Sequence, residues 1–417
     1  MYDIAIILYA FMVRMASLFN KKARKMLSGQ KKTFSVLVEN IDPQAHYIWF
    51  HAASLGEFEQ GRPLIEKIRK EKPEYKILLT FFSPSGYEVR KDYAGANVVC
   101  YLPFDFRSNA QKFLDRAKPE IAVFIKYEFW MNYLNQLKNR DIPTYIISAV
   151  FRPSQIFFRW YGSRYRNVLN NFNWFFVQDE NSLKLLRQFN HNNITVSGDT
   201  RFDRVYEIFK QGKNLPSIEK FVNKMEATQR VLIAGSTWEK DEEILIPFFN
   251  RHQEIKLIIA PHEINGDRIV QLKNRIKRPC TLYSQSGETE VETADCLIID
   301  CIGLLSSAYR YGEIAYVGGG FGAGIHNVPE AAVYGIPVLF GPNYGKCREA
   351  KELIASGGAF SVSGENDFSA QMNNLSAYPE LIGEAGKKAG DYIMNNLDAT
   401  HKIYEKVFST RSIFTKE

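Results

Sequence analysis

Cysteine is scarce in this 417-residue chain, and its five copies (Cys100, Cys280, Cys296, Cys301 and Cys347) never fall in a CxxC pair. That argues against a thiolate zinc site and a disulfide framework, and it suits a reducing compartment. Seven histidines occur without an HExxH spacing, so no metal held by Cys or His is expected. A strict GxGxxG is missing, and the stretch Gly341 to Cys347 is not a phosphate-binding Walker loop, because no Ser or Thr follows Lys346. Low-complexity tracts and short repeats are absent too. Finally, the apolar segment 2–19 is interrupted by Asp3 and Arg14, which makes it marginal against the ~20 apolar residues that cross a bilayer.

What is present is material for large cores: 45% hydrophobic residues, with 30 Phe and 22 Tyr, in a chain long enough for two domains. The net charge is +7. No nucleic-acid motif accompanies it, so no nucleic-acid partner is expected. A dense basic run (Lys21, Lys22, Arg24, Lys25, Lys31 and Lys32) follows the apolar N-terminus, which points to anionic lipid headgroups. Positive charge after the apolar run is the reverse of a secretory signal, and it keeps the body of the protein cytoplasmic. Residues 1–30 are therefore expected to be a membrane-associated helix and basic cluster, spanning or lying in the interface. The alternative is a first helix packed on the body.

From residue 45 apolar strands alternate with amphipathic helices. Strands are expected at 47–51, 76–82, 97–102, 121–125, 143–148, 174–177 and 194–197, then at 230–235, 255–260, 280–283, 296–300, 313–318, 336–340 and 359–362. A polar stretch around 206–229, containing Pro216, separates the two series. The fold class is therefore α/β, with two Rossmann-like doubly wound domains facing across a cleft, at 31–215 and 216–417. The helical tail from about 378 is expected to pack back across the first domain.

Ligands of such sheets bind beyond the carboxyl ends of the strands, and there the sequence is polar or glycine-rich. The run Tyr316 to Pro342 is the fullest case: a strand, a glycine-rich loop, then Asn327 and Glu330 opening a short helix before a second strand. Glycines admit close backbone approach, and helix starts offer N–H groups to anions. Glu330 can accept ribose hydroxyls or base edges. Unliganded α/β proteins carry such turns as well.

Five blocks together resemble the bacterial 3-deoxy-D-manno-octulosonic acid (Kdo) transferases. His51-Ala-Ala-Ser-Leu-Gly-Glu57 is similar to that family's H-(A/S)-x-S-x-G-E, and Tyr127-Glu-Phe-Trp-Met-Asn132 to T-E-L-W-P-N. Gly198-Asp-Thr-Arg-Phe-Asp203 is similar to G-(S/N)-x-K-F-D, and Ala234-Gly-Ser-Thr-Trp-Glu239 to A-(G/T)-S-T-H-E. His326-Asn327 through Glu330, with Pro337 to Pro342, is similar to G-G-H-N-x-L-E…P-V-L-x-G-P. The blocks run in family order from about residue 47 to 350.

The resemblance implies a glycosyltransferase of the B architecture that moves Kdo from CMP-Kdo to a lipid A precursor, at the cytoplasmic face of the inner membrane, without a metal or cofactor. It implies Glu57 as general base, ionised at its helix start. Glu128 and Arg201 are implied at the reacting centre, with a salt bridge from Arg201 to Asp203 as the plainer alternative. Implied nucleotide contacts are Pro261 and His262, then Ile302, Gly303 and Leu304, then Asn327, Val328, Pro329 and Glu330. Two residues depart from the pattern: Lys126 stands where many members have a glutamate, and His262 where they have an arginine. Lys126 is expected either to meet the donor's carboxylate or a lipid phosphate, or to pair with Glu128. Ser236 and Thr237 are expected either to cap the next helix or to touch ligand. Aromatics and arginines over 151–174 suit a lipid substrate, or a helix buried on its domain. The alternative functions are a transferase using another nucleotide sugar and a lipid-surface module that has lost catalysis.

Overall fold

The computed structural model describes residues 2–226, 228–285 and 287–409. The chain forms two compact units, Met1–Arg204 with Leu397–Glu417, and Val205–Asn396. The change of unit falls inside the helix Thr200–Gln211, ahead of the expected break at 215/216. The tail divides as well. The helix Pro379–Asn395 stays with the second unit, and Ala399–Ser409 returns to the first.

Every expected strand is present within a few residues. In the first unit they are β1 (His46–Ala52), β2 (Tyr75–Phe81), β3 (Val98–Tyr101), β4 (Ile121–Ile125), β5 (Thr144–Ala149), β6 (Trp174–Val177) and β7 (Ile194–Val196). They pair in parallel in the order β3-β2-β1-β4-β5-β6-β7. Both faces are covered by helices, which is why the strands read as nearly continuous apolar runs. One face buries Trp49, Phe113, Phe124 and Tyr133, the other Phe50, Phe58, Ile65 and Phe81.

Two helices precede β1: α1 (Tyr2–Ala16) and α2 (Lys21–Asn40), the second capped by Asn20, whose side chain accepts from the Lys22 and Ala23 N–H groups. No described helix is long and apolar enough to cross a membrane. α1 buries Ile6, and its Tyr9 meets the rings of Phe82 and Phe104. Tyr2 donates its phenol hydrogen to the buried Asp105 at 2.5 Å. The backbone N–H groups of Asn132 and Tyr133 also point at Asp105. Outward, α1 exposes Ile4, Ile7, Leu8, Phe11, Met12 and Met15, a stripe at helical spacing.

The second unit contains β8 (Arg230–Thr237), β9 (Ile255–Pro261), β10 (Cys280–Leu282), β11 (Cys296–Ile298), β12 (Ile314–Val317), β13 (Val338–Phe340) and β14 (Ala359–Ser361). Their parallel order is β10-β11-β9-β8-β12-β13-β14. Strand direction of travel reverses between β1 and β4 in the first sheet and between β8 and β12 in the second. Those two switch points are where crevices open in doubly wound sheets.

Candidate active site

The switch point of the first unit gathers the block after β1 and the block after β4. His51, the penultimate residue of β1, is fully buried. Its Nδ1 lies 2.9 Å from Thr80 Oγ1 on β2, and its Nε2 lies 3.1 Å from Glu128 Oε2. Trp130 Nε1 donates to the same Glu128 oxygen at 2.5 Å. Glu128 is thus held from two sides by residues that fix where its carboxylate sits.

Glu57 occupies the first turn of α3 (Leu55–Glu71) and folds back so that Oε2 accepts from the Ser54 N–H at 3.0 Å. This is one arm of a capping box. Helix-start geometry alone would lower its pKa, as expected from sequence. Instead burial pushes the carboxyl up and the charge of Glu128 adds to the effect, while His51 and the Ser54 N–H oppose it. The expected depression is therefore corrected: desolvation exceeds the helix-start contribution. A carboxylate with a raised pKa is a better proton acceptor.

The plainer reading of Arg201, a salt bridge to Asp203, does not hold. Its guanidinium holds Asp199, with Nε at 2.9 Å and Nη2 at 2.7 Å, and not Asp203. Gln60 donates to the same carboxylate. Burial pushes Asp199 up, but Arg201 outweighs it and leaves the pKa below the usual carboxylate value. Asp203 accepts the backbone N–H groups of Asp398 and Thr400 instead. Lys126 has φ +69°, a left-handed backbone uncommon outside glycine. Its ammonium lies 5.4 Å from the centre of the Tyr127 ring. Burial raises the Tyr127 phenol, which also feels Arg152, Glu57 and Arg201. Lys126, Arg152 and Arg201 therefore bring positive charge to Tyr127. Over 151–171 the chain makes short turns and not one long helix; Phe151 and Phe157 are buried, whereas Trp160 is 90% exposed.

In the second unit the glycine loop owes its composition to backbone packing. A Cβ on Gly318 would stand 2.3 Å from Ser236 O, and one on Gly320 would stand 2.5 Å from Gly341 N. These two glycines serve crossings of the chain, whereas a Cβ on Gly322 would meet nothing closer than 3.6 Å, and Gly322 and Gly324 line a cavity. Ser236 and Thr237 do not cap the helix Glu239–Arg251. Asp241 does so by accepting the Trp238 N–H at 2.9 Å, and Thr237 Oγ1 donates to Glu242.

The implied nucleotide residues fall into two groups, on the segments that follow β9, β11 and β12. Glu330 ties the first together, accepting from Ser306 Oγ at 2.8 Å and Asn327 Nδ2 at 2.7 Å. Asn327 Oδ1 is buried without a hydrogen-bond partner among the described residues. Ile302 is 89% exposed. The side chains of Val328 and Pro329 are buried. The second group is His262, following the buried Pro261, stacked between Trp238 and His326. It adjoins a cavity of about 500 Å³ whose walls include Trp238, Arg268, Gly319 and His326. Sequence reading gave no role to His51, Thr80, Trp130, Gln60 or Trp238. Thr80 was the legible one, a lone polar residue in the apolar run Ile77 to Phe81.

Residues 22–204 match the family model described as 3-deoxy-D-manno-octulosonic-acid transferase (kdotransferase). A 3-deoxy-D-manno-octulosonic acid transferase of Aquifex aeolicus is 26% identical over 336 residues, covering 79% of this chain and 85% of the relative. One from Rickettsia bellii is 28% identical over 328 residues, covering 76% and 77%. Among solved structures, UDP-GlcNAc 2-epimerase from Neisseria meningitidis superposes with a TM-score of 0.62 at 15% identity, covering 87% of this chain and all of that one. MurG of Acinetobacter baumannii gives 0.55 at 11% identity, covering 87% and 99%. At such identities the structural likeness bears on the fold alone.

Proposed function

We propose that this chain, a glycosyltransferase of the Kdo transferase family, transfers Kdo from CMP-Kdo to a lipid A precursor with Glu57 as general base. The observation that carries the reading is the Glu57 carboxyl, raised by burial and by Glu128 at the switch point of the first unit. An inverting transfer needs a group that takes the proton from the acceptor hydroxyl as the sugar's anomeric carbon is attacked. Glu57 is that group. Glu128, fixed by His51 and Trp130, keeps the Glu57 pKa high by its charge. Lys126 and Arg201 supply cationic surroundings for a donor with a sugar carboxylate and a phosphodiester. Asn327, Glu330, Gly303 and His262 serve the nucleotide.

The acceptor is lipid-linked, and α1 is the element that meets its membrane. A 15-residue helix is about 22 Å long, short of the ~30 Å hydrocarbon core, so α1 lies in the interface. Its exposed stripe enters the acyl region, with Lys21, Lys22, Arg24 and Lys25 at the headgroups of the cytoplasmic face of the inner membrane. The test is turnover with CMP-Kdo and a tetraacylated disaccharide acceptor. Transfer from CMP-Kdo supports the reading, and transfer from a uridine or guanosine diphosphate sugar in its place overturns it.

A further inference from the structure

The inward face of α1 is fastened to the block that carries Glu128. Its first turn holds the backbone of that block: the Tyr2 hydroxyl accepts the Met131 N–H at 3.2 Å, and Asp3 Oδ1 accepts from Asn132 Nδ2 at 2.8 Å. Further along the same face, Tyr9 reaches the block through rings. Tyr9 stacks on Phe82 with centroids 6.2 Å apart, and Phe82 lies 4.7 Å from Trp130. Phe82 and Phe104 belong to a small core against which Val13 of α1, Ala53 and Trp130 all pack. Tyr2, Tyr9 and Val13 share one side of the helix, opposite the exposed stripe.

Trp130 is where these rings meet the carboxylate. Its indole nitrogen lies 2.5 Å from Glu128 Oε2 and 3.1 Å from His51 Nε2, and an indole nitrogen can only donate. Moving the ring therefore moves the hydrogen that fixes Glu128. Tyr9 itself stands within range of that carboxylate, since burial first and then Glu128 raise its phenol. The groups acting on Glu57 are Glu128, His51 and the Ser54 and Ala53 backbone, and Tyr127 feels Glu57 together with Arg152 and Arg201. Glu128 is the neighbour that pushes Glu57 up, so displacing it lets Glu57 fall part of the way back, while burial, the larger cause, remains.

We propose that Tyr9 is a positioning residue for transfer: acting through Phe82 and Trp130, it holds the Glu128 carboxylate in its place at the reaction centre. Resting on the proposed roles of Glu57 and Glu128, this gives the helix that meets the membrane a second task, as outer support of the active site. The two tasks separate kinetically. A side chain that only anchored α1 would govern access to a lipid acceptor and show in KM, whereas one that positions Glu128 shows in kcat.

The test is steady-state transfer by the full chain from CMP-Kdo to the tetraacylated disaccharide in detergent micelles, across pH. Tyr9→Ala should lower kcat about 10- to 100-fold with little change in either KM. The acid limb of its kcat profile should move to lower pH, because Glu57 loses part of the neighbouring charge. Tyr9→Phe keeps the ring and should restore both. Trp130→Phe should match Tyr9→Ala, and the double variant should be no slower than Trp130→Phe, since Tyr9 acts through Trp130. Should Tyr9→Ala fail to fold, Tyr9→Leu, which fills the space but cannot stack, is read in its place. A loss confined to KM, a Tyr9→Phe as slow as Tyr9→Ala, or losses that multiply in the double variant overturns the proposal. A wild-type acid limb at an ordinary carboxylate pKa counts against Glu57 as base alone, and kcat and the double variant still decide for Tyr9. If CMP-Kdo gives no transfer, hydrogen exchange at the amides of Glu128 to Tyr133 decides. Exchange that is faster in Tyr9→Ala and normal in Tyr9→Phe supports the positioning role, and exchange unchanged in both overturns it.

Discussion

Two carboxyls near each other in a part-buried site cannot both ionise at ordinary cost, and Glu57 is the one whose pKa rises. Transfer should therefore fail on the acid side at a pH above the usual glutamate range, because the base works only when deprotonated. A kcat profile whose acid limb sits at an ordinary carboxylate pKa would contradict this. Glu57→Gln removes the proton acceptor and keeps the shape, so transfer should drop ~10²–10⁴-fold with CMP binding retained. Near wild-type transfer would take the base role from Glu57. The glutamate itself was legible, as part of a strand-end motif. The direction of its pKa was not, because burial and the Glu128 charge come from strands that only the fold brings side by side. Arg201 shows the same limit: its partner is Asp199, two residues back, and not the equally close Asp203. The fold adds Gln60 of α3 at Asp199 and engages Asp203 with the Asp398 and Thr400 N–H groups.

Elements were more legible than contacts. Fourteen strands could be read from apolar runs because parallel strands are covered on both faces, so they stand out from the helices between them. α1 is the element whose sequence left two readings open, docked helix or membrane helix, and its two faces accommodate both. Tyr9 and Ile6 pack inward while Phe11 is 60% exposed. Replacing Leu8, Phe11 and Met12 with serine should release the protein from anionic vesicles while leaving its thermal unfolding nearly unchanged, since exposed positions contribute little to folding. Loss of folding in place of binding would mean that the stripe is covered by protein. Tyr2→Phe should do the opposite. It strips a hydrogen bond from the buried Asp105, whose carboxyl is already pushed up to about 6 by burial, at an expected cost of ~1–3 kcal/mol in chemical denaturation.

At the scale of the whole chain, the path of the C-terminal helix Ala399–Ser409 bears on the stability of the first unit. The tail was read as helical and returning to the first domain, but composition could not say where it changes allegiance. The break lies at Asn396/Leu397, and helix Ala399–Ser409 belongs with the first unit. Its Ile403, Tyr404 and Val407 are buried against the face that holds Leu64, Ile65 and Ile68 of α3. Lys67 lies over the Tyr404 ring, and Asp203 clasps the helix start through the Thr400 N–H. Three large side chains at ~1.5–3 kcal/mol each come to roughly 4.5–9 kcal/mol. That is comparable with the ~5–15 kcal/mol that keeps a domain folded. Deleting residues 397–417 should therefore unfold or severely weaken the first unit, the one carrying Glu57, while the second unit, to which this helix does not belong, still binds CMP. The milder Ile403→Ala should cost ~2–5 kcal/mol in the first of two unfolding transitions. If the truncated chain kept transfer activity and a wild-type melting profile, the helix would be dispensable to the first unit. If it lost CMP binding as well, the second unit would depend on this helix too.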